Sequence, residues 1–310
     1  MPKPKIVLSS CFLKPNRYNG EIVHNDFIEK LKPYIDYIDY CPEVDIGLGI
    51  PRPRIIIIED EKGKRLIQPE TGRDLTEKMN EYVNNVIKGL NNIEGFILKA
   101  KSPSCGVSSA KVYKNGIIIG KTDGFFASAI KEIFPYLPIE DEGRLRNEEI
   151  RKHFLTRIFA FSEFRDLTNN PSIKKLVEFH SKYKYLLMTY SQKNLKELGK
   201  TVADGRMSLK EKLSNYKNLF YQAFMRKPSP RRHVNTLNHL AGHISKQLSQ
   251  KEKRHLFNLI DKYSKGLVEI RVILELLRNL SFRFENQYIL IQKYLDPFPE
   301  ELNIQTGVRS

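Results

Sequence analysis

Residues 5–11 (KIVLSSC) form a short β-branched run that ends in a cysteine. Such a run predicts a buried strand. Further runs of this kind follow along the first half, and stretches with helical spacing separate them, of which residues 77–89 and 125–134 are the clearest. The other strand-like runs are residues 34–40 (YIDYIDY), 54–59 (RIIIIE), 95–99 (GFILK) and 115–120 (NGIIIG). Strands that alternate with helices predict an α/β domain with a mostly parallel sheet.

The second half of the chain loses this alternation. Residues 147–164 and the segment that starts at Asn170 and Pro171 carry apolar side chains at helical spacing, and the proline is placed where a first helical turn accepts it. Further helices are predicted near residues 208–225, 233–249, 251–263 and 266–280. The sequence therefore predicts an α/β domain over residues 1–145 and an all-α domain over residues 146–310, with the boundary in the acidic stretch 140–147 (EDEGRLRN).

The charge distribution divides the chain in the same way. Residues 1–150 carry 22 basic and 22 acidic side chains, whereas residues 151–310 carry 30 basic and 14 acidic ones, so the second half holds the whole formal net charge of +16. A cationic excess on one domain favours a polyanionic partner such as RNA. No apolar run reaches the ~18–20 residues that a membrane helix needs, and the apolar part of the N-terminus is too short for a signal peptide. A cytoplasmic protein without membrane contact is expected.

All three cysteines lie in the neutral half, and each follows a different predicted strand. They are Cys11, Cys41 and Cys105. Because the carboxyl ends of parallel strands meet at one edge of a sheet, the three side chains can converge despite their separation in sequence. Three buried structural thiols would explain the placement equally well. Cys41 and Cys105, however, lie in loops that contain proline and glycine, where functional sites are more frequent than in cores.

Convergent thiolates select soft metals, namely zinc, copper(I) or the iron of iron–sulfur clusters. A zinc site would need a fourth ligand, and His24 is the only histidine among residues 1–150. A four-iron cluster held by three cysteines leaves one iron without a protein thiolate, and that iron can act as a Lewis acid towards a sulfur ligand. The residues by themselves leave both kinds of metal centre open.

Four groups of residues around these cysteines resemble the TudS family of iron–sulfur-dependent thiouracil desulfidases. They occur in order as residues 9–13 (SSCFL) with 17–20 (RYNG), 41–44 (CPEV) with 47–52 (GLGIPR), 71–75 (TGRDL) and 101–106 (KSPSCG). The second half resembles the YbgA-like helical domain in residues 151–159, 179–188 and 237–242. The fusion is similar to the RudS proteins, which remove sulfur from 4-thiouridine in tRNA. Asn19 departs from the aspartate that is usual in the first of these segments.

The resemblance implies that Cys11, Cys41 and Cys105 hold a [4Fe–4S] cluster and that Glu43 and Ser102 act on the substrate. It implies a non-redox desulfidase in which the thiocarbonyl sulfur binds the open iron and water attacks the carbon, with Glu43 as general base and later proton donor. Ser102 would hydrogen-bond the ring or the developing tetrahedral centre. No net electron transfer is needed, so neither a nicotinamide nor a flavin is expected. Without the resemblance, Glu43 would be interpreted as a capping carboxylate and Ser102 as a turn hydroxyl.

The basic half offers candidate RNA contacts on one predicted helix and beside a proline-broken connection. These candidates are Lys174, Lys175, Lys182, Lys184, Arg231 and Arg232. The aromatic side chains interleaved in residues 180–190 could stack on bases. The alternative is a solvated basic face with its tyrosines in the helical core. His239 and His243 lie one helical turn apart but lack the glutamate of a zinc-protease motif, which favours packing or RNA contact.

The sequence therefore predicts a desulfidase that converts 4-thiouridine in tRNA to uridine, with tRNA as partner and a thiolated uracil as the reacting base. Two alternatives stay open. One is a desulfidase of free 2-thiouracil or thiouracil nucleotides, and the other is a non-catalytic RNA-binding protein with a structural metal site. A small free base needs no basic second domain, which favours the tRNA substrate.

Overall fold

The computed structural model describes residues 1–303, which divide into one unit formed by residues 1–162 with 301–303 and a second formed by residues 163–300. The order of an α/β region followed by a helical region confirms the predicted fold class. The two units divide later in the chain than residue 145, and the boundary predicted there stays a prediction.

Strands and helices alternate along the first unit. Its strands are β1 (Lys5–Ser9), β2 (Asp36–Tyr40), β3 (Ile56–Asp60), β4 (Gly63–Gln68), β5 (Arg73–Asp74), β6 (Gly95–Leu98), β7 (Ala110–Lys114), β8 (Ile117–Thr122) and β9 (Ile139–Asp141). Its helices are α1 (Asp26–Leu31), α2 (Pro42–Asp45), α3 (Thr76–Gly89), α4 (Phe125–Ile133) and α5 (Glu148–Asn169), the last of which continues into the second unit.

A four-stranded parallel sheet lies at the centre of the first unit. Its strand order is β2-β1-β6-β9, and every neighbouring pair is parallel. The middle strands are covered on both faces: Ile6, Val7 and Leu8 of β1 are completely buried. Burial on both faces explains why β1 and β6 are continuous apolar runs without alternation. This sheet places the carboxyl ends of β2, β1 and β6 side by side.

A second, five-stranded sheet was not expected from the sequence. Its order is β5-β4-β3-β7-β8, and only the β3–β7 pair is parallel. The strand-like runs at residues 54–59 and 115–120 belong to this sheet and not to the parallel one. The pattern hides it because β4 (GKRLIQ) and β7 (AKVYK) are rich in cations, and β7 alternates between buried and exposed residues.

Two amphipathic helices supply much of the core of the first unit. In α3, Met79, Val83 and Ile87 recur every fourth residue and are buried, and Phe126 of α4 joins the same cluster. Full burial of such side chains stabilises a fold by roughly 1.5–3 kcal/mol each. This packing fixes the loops that follow the parallel strands, which is where the cysteines lie.

The second unit is helical. After α5 it contains α6 (Ile173–Tyr190), α7 (Gln192–Ala203), α8 (Leu209–Ala223), α9 (Pro230–Ile244), α10 (Gln250–Ser264), α11 (Ile270–Arg283) and α12 (Gln287–Leu290). Ser208 and Ser249 begin α8 and α10 with complete capping boxes. Aromatic rings fill the interior, with Phe164 stacked on Tyr216 at 5.7 Å between ring centroids. No helix within residues 1–303 has both the length and the apolar composition needed to cross a membrane.

Candidate functional site

The three cysteines line one cavity of about 620 Å³ in the first unit. Cys41 directly follows β2, Cys11 lies in a short turn after β1, and Cys105 lies in the loop after β6. Because β2, β1 and β6 are neighbours in the parallel sheet, their carboxyl ends bring the three thiols to the same edge. All three are free thiols. The topology therefore supplies the convergence that the sequence predicted, while the role of these residues as ligands stays a prediction.

Burial dominates the acid–base behaviour of these thiols. Burial, together with the neighbouring Cys41, raises the pKa of Cys11 to about 12. Burial also raises the pKa of Cys41, and that of Cys105 far above its usual value. The Cys41 thiol donates a hydrogen bond to the carbonyl of Asn16 at 3.7 Å. Thiols in such surroundings are poor nucleophiles, which disfavours a role as exposed redox cysteines.

Among the residues that the structure describes, the cavity wall offers three thiols and no histidine. Over residues 1–303, no three His, Cys, Asp or Glu side chains lie close enough together to hold one metal ion. His24 does not line the cavity, so a Cys3His zinc site finds no support. The three thiols instead border a volume. Thiolates are the soft donors that iron–sulfur clusters take, and this ligand role stays a prediction.

The Glu43 carboxylate forms part of the same cavity wall. α2 starts directly after Cys41, with Pro42 in its first turn, and this places Glu43 beside the thiols. One carboxylate oxygen, Oε2, accepts hydrogen bonds from Nε and Nη2 of Arg52 at 3.0 and 2.8 Å. The other, Oε1, accepts from the hydroxyls of Ser102 and Ser104 at 3.1 and 3.2 Å. Each oxygen therefore has two protein donors.

Ser102 performs several tasks at once. Its hydroxyl accepts hydrogen bonds from the backbone N–H groups of Ser104 and Cys105, each at 3.1 Å, and donates its one proton to Glu43. In this arrangement the hydroxyl fixes the loop that carries Cys105 and holds the carboxylate. A hydrogen bond from Ser102 to a substrate would require release of Glu43. The predicted contact between Ser102 and the substrate stays a prediction.

Backbone hydrogen bonds from the start of α4 hold the loop that carries Cys105. The N–H of Gly124 donates to the carbonyl of Gly106 at 2.8 Å, and that of Phe126 to the carbonyl of Ser104 at 2.9 Å. A Cβ atom added at Gly124 would lie 2.5 Å from the backbone of Ser104 and 2.8 Å from the nitrogen of Cys105. Only glycine permits this close approach.

Sequence reasoning gave Arg52 and Ser104 no role, although both contact Glu43. Arg52 lies between two prolines in the loop after α2, and its side chain is only 3% exposed. Nothing in the sequence shows that this arginine is buried. A cation in a loop is normally solvated, and the flanking prolines are the one unusual feature.

A second ion pair lies at the cavity next to Cys11. Lys99, directly after β6, pairs with Glu142 and donates to the carbonyl of Ala100 at 3.0 Å. Glu142 also accepts from the N–H of Ala100 at 2.6 Å. The charge of Lys99 opposes the rise in the pKa of Cys11. The sequence did not indicate this cation as part of the site.

The four candidate lysines of α6 do not share one surface. At 100° per residue, Lys174, Lys175 and Lys182 lie within an arc of about 100° of the helix, and Lys184 lies about 80° outside this arc, beyond Lys174. The first three are exposed, and Lys175 donates to the carbonyl of Asn170 at 2.7 Å. The ammonium of Lys184 instead lies over the ring of Tyr185, 5.7 Å from its centroid. Lys174, Lys175 and Lys182 therefore form an exposed cationic face of α6, and the predicted RNA contacts of all four lysines stay predictions.

The two candidate arginines are exposed at the start of α9. Arg232 donates to the carbonyl of Tyr190 at 2.5 Å, which fixes its side chain against the end of α6, whereas no ion pair is found for Arg231 in the described chain. Their predicted role in RNA binding stays a prediction.

The aromatic side chains of α6 are core residues. Tyr183, Tyr185 and Tyr190 are 1%, 1% and 5% exposed, which confirms the alternative that places these tyrosines in the helical core and not the one in which they stack on bases. His239 and His243 are both exposed, and His243 forms a hydrogen bond of 2.5 Å to the hydroxyl of Tyr185.

Comparison with known proteins finds similarities for both parts of the chain. Residues 6–142 match the family described as 2-thiouracil desulfurase, and residues 184–299 match the family described as protein of unknown function (DUF1722). The uncharacterized protein YbgA of Escherichia coli (strain K12) is 27% identical over 156 residues, which is 49% of this chain and 91% of that protein. A solved structure of the [4Fe-4S]-dependent thiouracil desulfidase TudS is 26% identical and covers 46% of this chain and 94% of its own, with a TM-score of 0.37.

Residues 6–142 therefore resemble the 2-thiouracil desulfurase family. The chain as a whole resembles a fusion of such a domain with a YbgA-like DUF1722 domain, which confirms the resemblance seen in the sequence. The family match supports an enzyme that removes sulfur from thiouracil.

Proposed function

We propose that this protein is an iron–sulfur-dependent desulfidase that converts 4-thiouridine in tRNA to uridine. The observation that carries the proposal is the meeting of three thiols and the Glu43 carboxylate in one cavity at the carboxyl edge of the parallel sheet. The match of residues 6–142 to the 2-thiouracil desulfurase family supports the chemistry. The charge of the helical unit supports a nucleic acid as the substrate.

In this proposal Cys11, Cys41 and Cys105 hold a [4Fe–4S] cluster. A cluster with three protein thiolates supplies one open iron, a Lewis acid for the sulfur of a thiocarbonyl group. Lys99 offsets part of the negative charge that the three thiolates bring into the cavity.

Glu43 acts on the water. Its carboxylate takes a proton from a water molecule as the water oxygen attacks the carbon of the C=S group, and it later returns that proton to the departing sulfur. The new bond is C–O, the bond that breaks is C–S, the sulfur leaves as hydrosulfide, and the second proton of the water is released to solvent as the carbonyl forms. The pyrimidine gains and loses no electrons overall, so neither a nicotinamide nor a flavin is required.

The helical unit holds the RNA in this proposal. Residues 163–300 carry 26 basic and 13 acidic side chains, which gives a strong and sequence-independent attraction to phosphate. The exposed face of Lys174, Lys175 and Lys182 is the proposed contact. A base in folded tRNA must leave its stack before it can enter a cavity, and a firmly held RNA makes this extraction easier.

A substrate comparison tests the proposal. The protein is reconstituted with iron and sulfide under anaerobic conditions, and sulfide release is measured with tRNA that contains 4-thiouridine, with the free nucleoside and with 2-thiouracil. We expect the highest kcat/KM with tRNA. Turnover of thiouracil without turnover of tRNA would establish the free-base enzyme instead. A loaded cluster without any sulfide release would establish a non-catalytic protein.

A further inference from the structure

Arg52 is a cation buried at the edge of the cavity. Its side chain is 3% exposed, and that of its partner Glu43 is 13% exposed. The guanidinium makes four hydrogen bonds: two to Glu43 Oε2 at 3.0 and 2.8 Å, one to the carbonyl of Gly49 at 3.2 Å and one to the carbonyl of Asn16 at 3.0 Å. The N–H groups of the guanidinium thus donate to one carboxylate and to backbone carbonyls of two separate loops.

The backbone around Arg52 holds the side chain in this place. The N–H of Arg52 donates to the carbonyl of Tyr18 at 2.9 Å. Gly47 and Gly49 have φ angles of +83° and +74°, which allow the chain to turn back from α2 towards Glu43. A long, flexible side chain is therefore constrained at both its backbone and its head.

The contacts of Arg52 also reach the surroundings of Cys41. The carbonyl of Asn16 accepts from Arg52 and from the Cys41 thiol. The guanidinium consequently joins the carboxylate, the loop between β1 and α1, and the loop after α2 in one hydrogen-bonded set. A lysine could supply the charge, but its single ammonium cannot occupy these acceptors with the same planar geometry.

We propose that Arg52 is a positioning residue that holds the Glu43 carboxylate in a fixed orientation at the cavity. This inference rests on the proposed function, since it takes Glu43 to be the proton-accepting group. The two hydrogen bonds from Arg52 hold Oε2, the hydroxyls of Ser102 and Ser104 hold Oε1, and together the four contacts set the orientation of the carboxylate. Arg52 thereby acts through Glu43 and not on the substrate. A small displacement of a catalytic group costs on the order of 10²-fold in rate.

Substitution at Arg52 and at an arginine outside the cavity tests the proposal. Arg146 is exposed in the same unit and does not line the cavity, so Arg146→Met and Arg146→Lys are matched controls. We expect Arg52→Met to lower kcat per loaded cluster about 100-fold and Arg52→Lys about tenfold, with little change in KM. Both Arg146 variants should retain kcat within about twofold of the wild type. A purely structural role would lower cluster content and leave kcat per cluster unchanged, and that result would overturn the proposal.

A stability measurement separates this proposal from the proposed function. The midpoint of chemical unfolding is compared for the wild type, Arg52→Lys, Glu43→Gln and the double variant. If Arg52 acts through Glu43, Arg52→Lys shifts the midpoint much less in the Glu43→Gln background than in the wild type. Equal shifts in the two backgrounds would overturn the positioning role, whether or not the protein proves to be a desulfidase. Arg52→Lys, which retains the buried charge, serves if Arg52→Met does not fold.

Discussion

Glu43 is the residue on which the proposed chemistry depends, and protein groups already donate hydrogen bonds to both of its carboxylate oxygens. Both carboxylate oxygens already accept two hydrogen bonds each, so a water molecule reaches the carboxylate only when one hydroxyl turns away. The hydroxyl of Ser102 is also held by two backbone N–H groups, whereas no further bond is found for the Ser104 hydroxyl in the described chain. Ser104 is therefore the more mobile of the two donors and the better candidate to give way.

Glu43→Gln tests the base at this scale. We expect sulfide release per loaded cluster to fall on the order of 10²–10⁴-fold, because the amide cannot accept the proton. The variant should keep its iron content, since no cysteine changes. It should also lose stability, up to roughly 3–5 kcal/mol, because buried Arg52 then faces no counter-charge. Turnover, iron content and chemical unfolding are the three measurements.

The control for this substitution is Glu70→Gln, which removes an exposed carboxylate from the same cavity wall. It should change neither turnover nor stability appreciably. Full activity in Glu43→Gln, or equal losses in the two variants, would show that Glu43 is not the base.

The sequence was informative about some residues of the site and silent about others. Cys11, Cys41 and Cys105 could be placed because each follows a strand, and strand ends of a parallel sheet converge. Arg52, Ser104 and Lys99 could not be placed, because burial of a polar side chain depends on how loops pack across the sheet. No periodic pattern records that packing.

At the scale of elements, the contact between α4 and the Cys105 loop is a point of tight packing. Gly124→Ala is expected to push the loop away, because the added Cβ would meet backbone atoms of Ser104 and Cys105 and not a movable side-chain end. We expect a loss of stability of roughly 1–3 kcal/mol and a lower iron content after reconstitution. Gly120→Ala in β8 has open space around the new Cβ and serves as the control. Normal iron content in Gly124→Ala would show that the loop tolerates this displacement.

The helical unit contains a histidine that links its elements in a pH-dependent way. His180 of α6 forms a hydrogen bond of 3.1 Å to the hydroxyl of Tyr216 in α8. Burial lowers the pKa of His180 below its usual 6.5, and the charge of Lys184 lowers it further. The folded state therefore resists protonation more than the unfolded chain does. Its stability is complete above the unfolded pKa near 6.5 and is lost as the pH falls through the lower folded pKa.

The midpoint temperature of thermal unfolding of the wild type should consequently fall as the pH is lowered from 7.5 to 5. His180→Gln should show a smaller decrease over this interval, since it cannot be protonated. His255→Gln, at an exposed position of α10, is the control and should follow the wild type. An unchanged pH slope in His180→Gln would show that another group dominates.

The elements themselves were predictable where the hydrophobic pattern is strong. β1, β6, α3 and α6 lie close to the expected positions because continuous burial or a single apolar stripe determines them. β4 and α7 were missed for the opposite reason. β4 begins with Gly63, Lys64 and Arg65, and α7 (QKNLKELGKTVA) carries few apolar residues and an internal glycine.

For the whole molecule, the division of charge agrees with the division of structure. The unit with the cysteine-lined cavity is nearly neutral, whereas residues 163–300 carry a twofold excess of basic over acidic side chains. A unit with little net charge neither attracts nor repels a polyanion strongly. In the proposed function, the helical unit therefore selects tRNA over a free base. The dependence of tRNA affinity on salt concentration tests this role, because contacts to phosphates release counterions.

The triple variant Lys174→Gln, Lys175→Gln and Lys182→Gln tests which cations contact the RNA. If all three meet phosphates, the slope of log Kd against log salt for tRNA decreases by roughly 2–3, and binding weakens at least tenfold at moderate salt. The control is the triple variant Lys62→Gln, Lys88→Gln and Lys114→Gln, which removes the same charge from exposed positions of the first unit that do not line the cavity. It should leave the slope unchanged. Equal effects of the two variants would show that general charge and not this face of α6 attracts the RNA, and a wild-type affinity insensitive to salt would remove the basis for a tRNA substrate altogether.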